Sequence, residues 1–190
     1  MAYLHDSLAH LEVFEAIVPW MYLDTRGFVT VGVGEMLATP DRAQSLGFLD
    51  EKGHPTTPQA ILTEYHRVTA LPHGRLAGFY RSPTSPTLPH PAIDALLMQH
   101  LAFFDGQLSQ HFPNYPGFPD PVKLGLLDMV FNLGVTGLLH GYPHFMTHVR
   151  NQDWANAAGH CHRNGPSHAR NDWTRQQFLA AAALAVRLSS

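Results

Sequence analysis

Cysteine and charged residues are both scarce in this chain of 190 residues. Cys161 is the only cysteine, so no disulfide can form within the chain. Charged side chains make up 14% of the sequence and leave a formal net charge of −3. Proteins that bind nucleic acid through phosphates need a positive surface, which this composition lacks. We therefore expect no nucleic-acid partner.

Long hydrophobic runs are also missing. The longest uninterrupted apolar run, residues 178–186, is too short to cross a bilayer. The first residues carry acids, Asp6 and Glu12, where a secretory leader would carry Lys or Arg. The sequence therefore predicts a protein without a membrane span, made in the cytoplasm without a cleaved leader.

The pattern of apolar residues predicts a mostly helical chain. Apolar side chains recur every three or four residues, the spacing of one helical face, and caps or prolines mark several helix starts. The predicted helices cover residues 7–18, 58–70, 92–112, 122–133, 143–150, 153–161 and 167–188. The segment 122–133 is apolar nearly all round and is followed by Gly134. We expect it to end there and to lie at the centre of a helical lobe.

One segment has the residue pattern of β-strands instead of helices. Residues 22–34 alternate between β-branched and other residues after a turn-forming Asp-Thr-Arg-Gly, which predicts a β-hairpin. Prolines cluster in residues 72–91, which predicts an ordered loop or a hinge. The expected fold is α+β within a single domain, residues 1–190. A small lobe with the hairpin takes about residues 1–85, and a larger helical lobe takes about residues 90–190.

The residues best suited to catalysis are Glu15, Asp24 and Thr30, spaced E-x8-D-x5-T. A carboxyl group at the end of an apolar helix can be kept protonated by desolvation and act as a general acid. Asp24, in an exposed turn, should stay ionised, and two such carboxyl groups are what glycoside hydrolysis requires. Thr30 could help Asp24 to orient a water molecule. The alternative is a solvated helix Glu, an Asp that caps its own turn and an ordinary strand Thr.

Two separated blocks of the sequence resemble the phage T4-type lysozymes, glycoside hydrolase family 24. The first runs from Glu15 through Tyr-Leu-Asp-Thr at 22–25 to Thr-Val-Gly-Val-Gly at 30–34. The second is Met-Val-Phe-Asn-Leu-Gly-Val-Thr-Gly at 129–137, followed by Trp154. The resemblance implies a two-lobed lysozyme-like fold and an inverting reaction. In it Glu15 is the general acid, Asp24 the second carboxylate, and Thr30 the threonine beside the attacking water.

The resemblance also implies residues that bind the glycan. Met36, Phe131 and Asn132 match positions that line the family's cleft, although ordinary packing is the alternative for Met36 and Asn132. The family has a basic residue near its catalytic Glu, and both His168 and Arg170 are candidates for that position. We take Arg170 as the substrate-binding residue.

The chain departs from the family pattern in two places. Glu35 stands where the family commonly has His after Gly-x-Gly, so the family's usual His–carboxylate pair cannot form there. Glu35 either pairs with a His or Arg or is solvated. The Pro-rich segment 83–91 has no family counterpart.

Zinc prefers His and Cys as ligands, and the sequence offers several of them close together: His140, His144, His148, His160, Cys161 and His162. However, neighbouring residues of a helix, such as His160, Cys161 and His162, point about 100° apart. Gly141 and Pro143 interrupt the helical spacing between His140 and His144. We expect polar surface there, with no metal and no cofactor.

The sequence therefore favours a muramidase that cleaves the β-1,4 bond between N-acetylmuramic acid and N-acetylglucosamine. The resemblance allows a phage endolysin or a secreted antibacterial effector that acts in the periplasm or on the wall of a target cell. Expected partners are peptidoglycan glycan strands, with an immunity protein or a secretion-apparatus carrier in the effector case. The alternative function is a non-catalytic peptidoglycan-binding module on the same fold.

Overall fold

The computed structural model describes residues 2–189 and divides into two compact units. One is Glu15–Leu97, and the other joins the helix α1 (Ala2–Phe14) to the chain from Met98 onward. The described chain is 62% helical and has one small antiparallel sheet, so the α+β, mostly helical fold class is confirmed. The sequence placed α1 in the small lobe, whereas its contacts are with the helical unit.

The sheet lies in the unit Glu15–Leu97. Its three strands are β1 (Val18–Leu23), β2 (Val29–Gly32) and β3 (Glu35–Met36), in that spatial order. Val29 and Val31 turn one face of the sheet into the core, where they join Leu23 and Leu37. The predicted hairpin is therefore confirmed, while β3 is an addition that the sequence did not indicate.

The predicted helix over residues 7–18 is too long at its carboxyl end. Helix α1 ends at Phe14, and Val18 already begins β1. Pro19 is compatible with that strand because β1 lies at the edge of the sheet, where a residue without an N–H group need not interrupt the hydrogen bonds between strands. The Pro19 carbonyl instead accepts a hydrogen bond from the Leu88 backbone N–H at 2.7 Å.

Helices complete this unit. They are α2 (Pro40–Gln44), α3 (Pro58–Thr69) and the first two turns of α4 (His90–His111). Helix α3 begins as predicted, because the Thr57 side chain accepts a hydrogen bond from the Ala60 N–H and Pro58 occupies the first turn. Between α3 and α4 the Pro-rich segment is ordered and contains a short 3₁₀ turn, Ala77–Tyr80.

The other unit is helical in its described residues. After the rest of α4 come α5 (Asp120–Gly141), α6 (Pro143–Arg150), α7 (Trp154–His160) and α8 (His168–Ser189). Helix α5 lies at the centre, packed against α1, α6 and α8. Gly134 has φ 69°, a left-handed conformation that breaks α5 into two segments where the sequence predicted a stop.

Helix α5 is the only helix in residues 2–189 that is long and apolar enough to cross a membrane, judged by length and composition. A central helix of a folded domain meets the same criterion. Nine of its residues are buried in the protein, and two of these, Lys123 and Asp128, are ionisable.

Candidate active site

The hairpin turn fixes the Asp24 carboxylate. Its Oδ1 accepts hydrogen bonds from the backbone N–H groups of Arg26 and Phe28, both at 2.9 Å. Gly27 closes the turn with φ 85°, a conformation that glycine adopts without strain. The second oxygen, Oδ2, lies 3.6 Å from Arg26 Nε, and the side chain is 23% exposed. Asp24 therefore caps its own turn through Oδ1, and its second oxygen forms an ion pair with Arg26.

Thr30 lies at the centre of the sheet. In the register it pairs with Tyr22 on one side and with Met36 on the other, so the three side chains share one face. Thr30 is buried, and its hydroxyl donates to the Phe28 carbonyl oxygen at 3.0 Å. Because that proton is used, Thr30 can offer a water molecule only its acceptor lone pairs in this geometry.

Glu15 follows α1 directly and is half-buried. Burial, and then the negative charges of Asp24 and Glu15, raise the pKa of Tyr22 above its ordinary value. The charges of both carboxylates therefore act on Tyr22, and the strand register places Thr30 beside Tyr22. The structure thus places Glu15, Asp24 and Thr30 in one unit, where the first two affect the pKa of Tyr22 and the third is its partner in the sheet.

Met36 and Glu35 lie on opposite faces of β3. Met36 is 43% exposed and shares the face of Thr30, a position that would suit contact with a ligand. Glu35 is buried on the other face, and its Oε1 accepts hydrogen bonds from Arg42 Nε at 3.0 Å and Nη2 at 2.7 Å. Of the alternatives for Glu35, pairing with Arg is the one realised.

The other predicted glycan-binding residues belong to the helical unit. Phe131 is half-buried, with its ring centroid 6.2 Å from that of Phe104, and Asn132 is exposed. The Arg170 side chain is only 6% exposed, and its Nε donates to Asp128 Oδ1 at 2.8 Å. His168 is exposed at the start of α8. Contact of these residues with a glycan stays a prediction.

Sequence reasoning missed the buried network to which Arg170 belongs. Asp128 Oδ2 accepts from Arg163 Nη2 and from the Thr174 hydroxyl, both at 2.5 Å, and Oδ1 lies 3.3 Å from His10 Nε2. The signal was present in the sequence, because Asp128 interrupts an otherwise apolar helix. A carboxylate in such a position must find cationic partners when it is buried.

A surface cleft opens beside Asp24. It has a volume of about 490 Å³ and is lined by residues 22–25 of the hairpin and residues 74–77 of the Pro-rich segment. The sequence pointed to the hairpin but not to the opposite wall, since nothing in the spacing of residues 74–77 indicates what they pack against.

The histidines of α6 and α7 lie near one another. The His160 ring centroid is 5.8 Å from that of His144 and 5.1 Å from that of His148. Among the described residues, three donor atoms from these side chains do not come within 4.8 Å of one another. Cys161 is buried, and burial raises the pKa of its thiol to about 11, so it is protonated and a weak nucleophile at neutral pH. The expectation of no bound metal stays a prediction.

Comparisons of the sequence with protein families and with curated proteins found no match. What bears on function is therefore the set of residues around Tyr22 and the cleft beside Asp24.

Proposed function

We propose that the protein is a lysozyme-like muramidase, a bacteriolytic glycosidase that hydrolyses the β-1,4 bond of peptidoglycan glycan strands. The observation that supports this proposal is the cleft that Tyr22 and Asp24 line, with Thr30 paired to Tyr22 in the sheet and with the charges of both Glu15 and Asp24 acting on Tyr22. Glycoside hydrolysis usually requires two carboxyl groups, one on each side of the bond that is cleaved.

In the proposed reaction Glu15 donates a proton to the leaving glycosidic oxygen. Asp24 accepts the proton of a water molecule that attacks the anomeric carbon from the opposite face. Backbone N–H groups occupy Asp24 Oδ1, so Oδ2, whose one recorded contact within residues 2–189 is with the exposed Arg26 at 3.6 Å, is the oxygen proposed as the base. Thr30 accepts a hydrogen bond from the same water. Inversion of configuration requires the two carboxyl groups to stand about 6.5–9.5 Å apart so that this water fits.

The same proposal assigns a place of action. A muramidase must reach the wall, either as a phage endolysin or as a secreted effector that acts in the periplasm or on a target cell. In the second case an immunity protein that covers the cleft would protect the producing cell.

The test is product analysis on purified cell walls. Wild-type protein should release reducing muramic acid ends, with the α-anomer formed first in the NMR spectrum, and Glu15→Gln and Asp24→Asn should each release almost none. The matched control is Glu51→Gln, because Glu51 is exposed in the same unit and takes no part in the proposed reaction.

Three outcomes would contradict the proposal. Activity of Glu15→Gln equal to that of the wild type would exclude Glu15 as the acid. Products with 1,6-anhydro ends would indicate transglycosylation instead of hydrolysis. Binding of wild-type protein to walls without release of reducing ends would indicate a non-catalytic binding module.

A further inference from the structure

The segment of residues 72–81, here called the cleft loop, forms the wall of the cleft opposite Asp24. Four contacts fix its conformation, three of them with the rest of its unit and one within the loop itself. The Trp20 indole N–H donates to the Ala77 carbonyl oxygen at 2.9 Å, and the Tyr80 hydroxyl donates to the Pro72 carbonyl oxygen at 3.0 Å. A side-chain carbon added to Gly27 of the hairpin turn would lie 3.7 Å from His73 Cβ, so the loop packs directly on the turn that fixes Asp24.

The fourth contact ties the end of the loop to α3. Arg67 Nη2 donates to the Tyr80 carbonyl oxygen at 2.5 Å and to Glu64 Oε1 at 2.8 Å. Burial alone would raise the pKa of Glu64, but hydrogen bonds from Arg67 and Ser85 and the charge of Arg67 outweigh that effect and lower it. The carboxylate therefore stays ionised, and the loop is anchored at both ends.

Between the contacts that fix it, the cleft loop exposes a cationic and two apolar side chains to solvent. Arg75 is exposed, and within residues 2–189 it makes no ion pair. Its guanidinium lies 5.7 Å from the ring centroid of Phe79, which is 50% exposed. Leu76 beside it is 88% exposed. A preorganised loop thus presents an unused cation and apolar surface at the edge of the cleft.

Resting on the function proposed above, we infer that Arg75 binds a carboxylate of the glycan strand held against Asp24. The muramic acid unit supplies that group in two ways, through its lactyl side chain or through the carboxylates of its stem peptide. A guanidinium suits either one, because its planar N–H groups match the geometry of a carboxylate. The cleft loop would then make the enzyme selective for carboxylate-bearing glycan over neutral glycan.

The experiment measures binding by calorimetry in the inactive Glu15→Gln protein. Three soluble probes are compared: a peptide-bearing wall oligosaccharide, the same glycan after amidase removes its peptides, and chitotetraose, which has no carboxylate. Adding Arg75→Ala should weaken binding of a carboxylate-bearing probe about tenfold, the effect of one charge-assisted hydrogen bond. Binding of chitotetraose should stay unchanged, and Arg75→Lys should restore part of the affinity. Arg175→Ala, which removes an exposed Arg from α8, is the matched control.

The arms of the experiment separate the outcomes. A loss confined to the peptide-bearing probe assigns the stem peptide, and a loss confined to the peptide-free glycan assigns the lactyl group. The role of Arg75 would be overturned if Arg75→Ala and Arg175→Ala bound the probes equally well, or if Arg75→Ala weakened binding of chitotetraose just as much. In either case, release of reducing ends by the wild-type protein would leave the muramidase proposal standing. Wild-type protein that releases no reducing ends and binds no probe would overturn both.

Discussion

Arg163 and Asp128 form an ion pair that is closed to solvent, although 35 positions separate them in the chain. The Arg163 Nη2 to Asp128 Oδ2 distance is 2.5 Å, and the two side chains are 0% and 1% exposed. Arg163 also donates to the Asp128 backbone carbonyl oxygen at 3.0 Å. One carboxylate on the central helix thus joins α5 to the chain that leads into α8.

Removal of this carboxylate should be costly. Asp128→Ala would leave Arg163 and Arg170 buried without their shared anion, which typically costs about 3–5 kcal/mol of folding free energy. Asp172→Ala, which removes an exposed Asp from α8, should change it by less than about 0.5 kcal/mol. Urea unfolding of both variants checks this. Equal stabilities would mean that the buried pair contributes nothing net.

The same carboxylate predicts a loss of stability in acid. Burial by itself would raise the pKa of Asp128, but the hydrogen bond with His10, the charges of Arg163 and Arg170 and the bond from Thr174 hold it well below its ordinary range. A lowered folded-state pKa stabilises the folded protein above the unfolded pKa of about 3.9. That stabilisation is lost as the pH falls from there toward the folded-state pKa.

The measurement is the free energy of unfolding between pH 7 and pH 2.5. It should fall below about pH 4, and Asp128→Asn should show a shallower fall because its amide does not titrate. Glu64, whose pKa is also lowered, contributes in the same direction, so some slope should survive in the variant. Parallel curves for wild type and Asp128→Asn would refute the assignment to Asp128.

Two glycine-to-alanine substitutions in helices should change the stability of the folded protein in opposite directions. A Cβ at Gly125 of α5 would lie 2.7 Å from Phe178 Cε2, and the Phe178 ring is fully buried. Such overpacking costs about 1–3 kcal/mol, more than the gain of about 1 kcal/mol in helix propensity. Gly106 of α4 is exposed with open space around it, so Gly106→Ala should be stabilising. Thermal denaturation of the two variants decides, and a stabilised Gly125→Ala would show that the ring moves freely.

Thr30 gives a test of positioning in the proposed reaction. Thr30→Val keeps the shape of the side chain but removes the hydroxyl that donates to the Phe28 carbonyl oxygen. We expect release of reducing ends to fall by about 10²-fold, the scale of a misplaced reactant, without the near-total loss expected of Glu15→Gln. Thr30→Ser retains a hydroxyl and should keep more activity. A Thr30→Val protein as active as the wild type would remove Thr30 from the mechanism.

Local sequence signals were enough for elements whose cause is local. Thr57 and Pro58 start α3, Gly134 interrupts α5, and the Asp24 turn closes the hairpin, because capping, backbone conformation and turn formation depend on a few neighbouring residues. The end of α1 could not be found in this way. Residues 15–18 continue its apolar spacing, and pairing of Val18 with Gly32 in the sheet decides against the helix.

For the candidate site, the sequence by itself determined which two carboxylates and which threonine are proposed for the reaction, since residue types and their spacing are covalent facts. Only the tertiary structure decided that Glu35 pairs with Arg42, that Arg170 joins Asp128, and that Arg75 stands across the cleft from Asp24. Long-range contacts of this kind depend on how separate elements pack and on which partners remain for a buried charge. Neither is written in the spacing of residues along the chain.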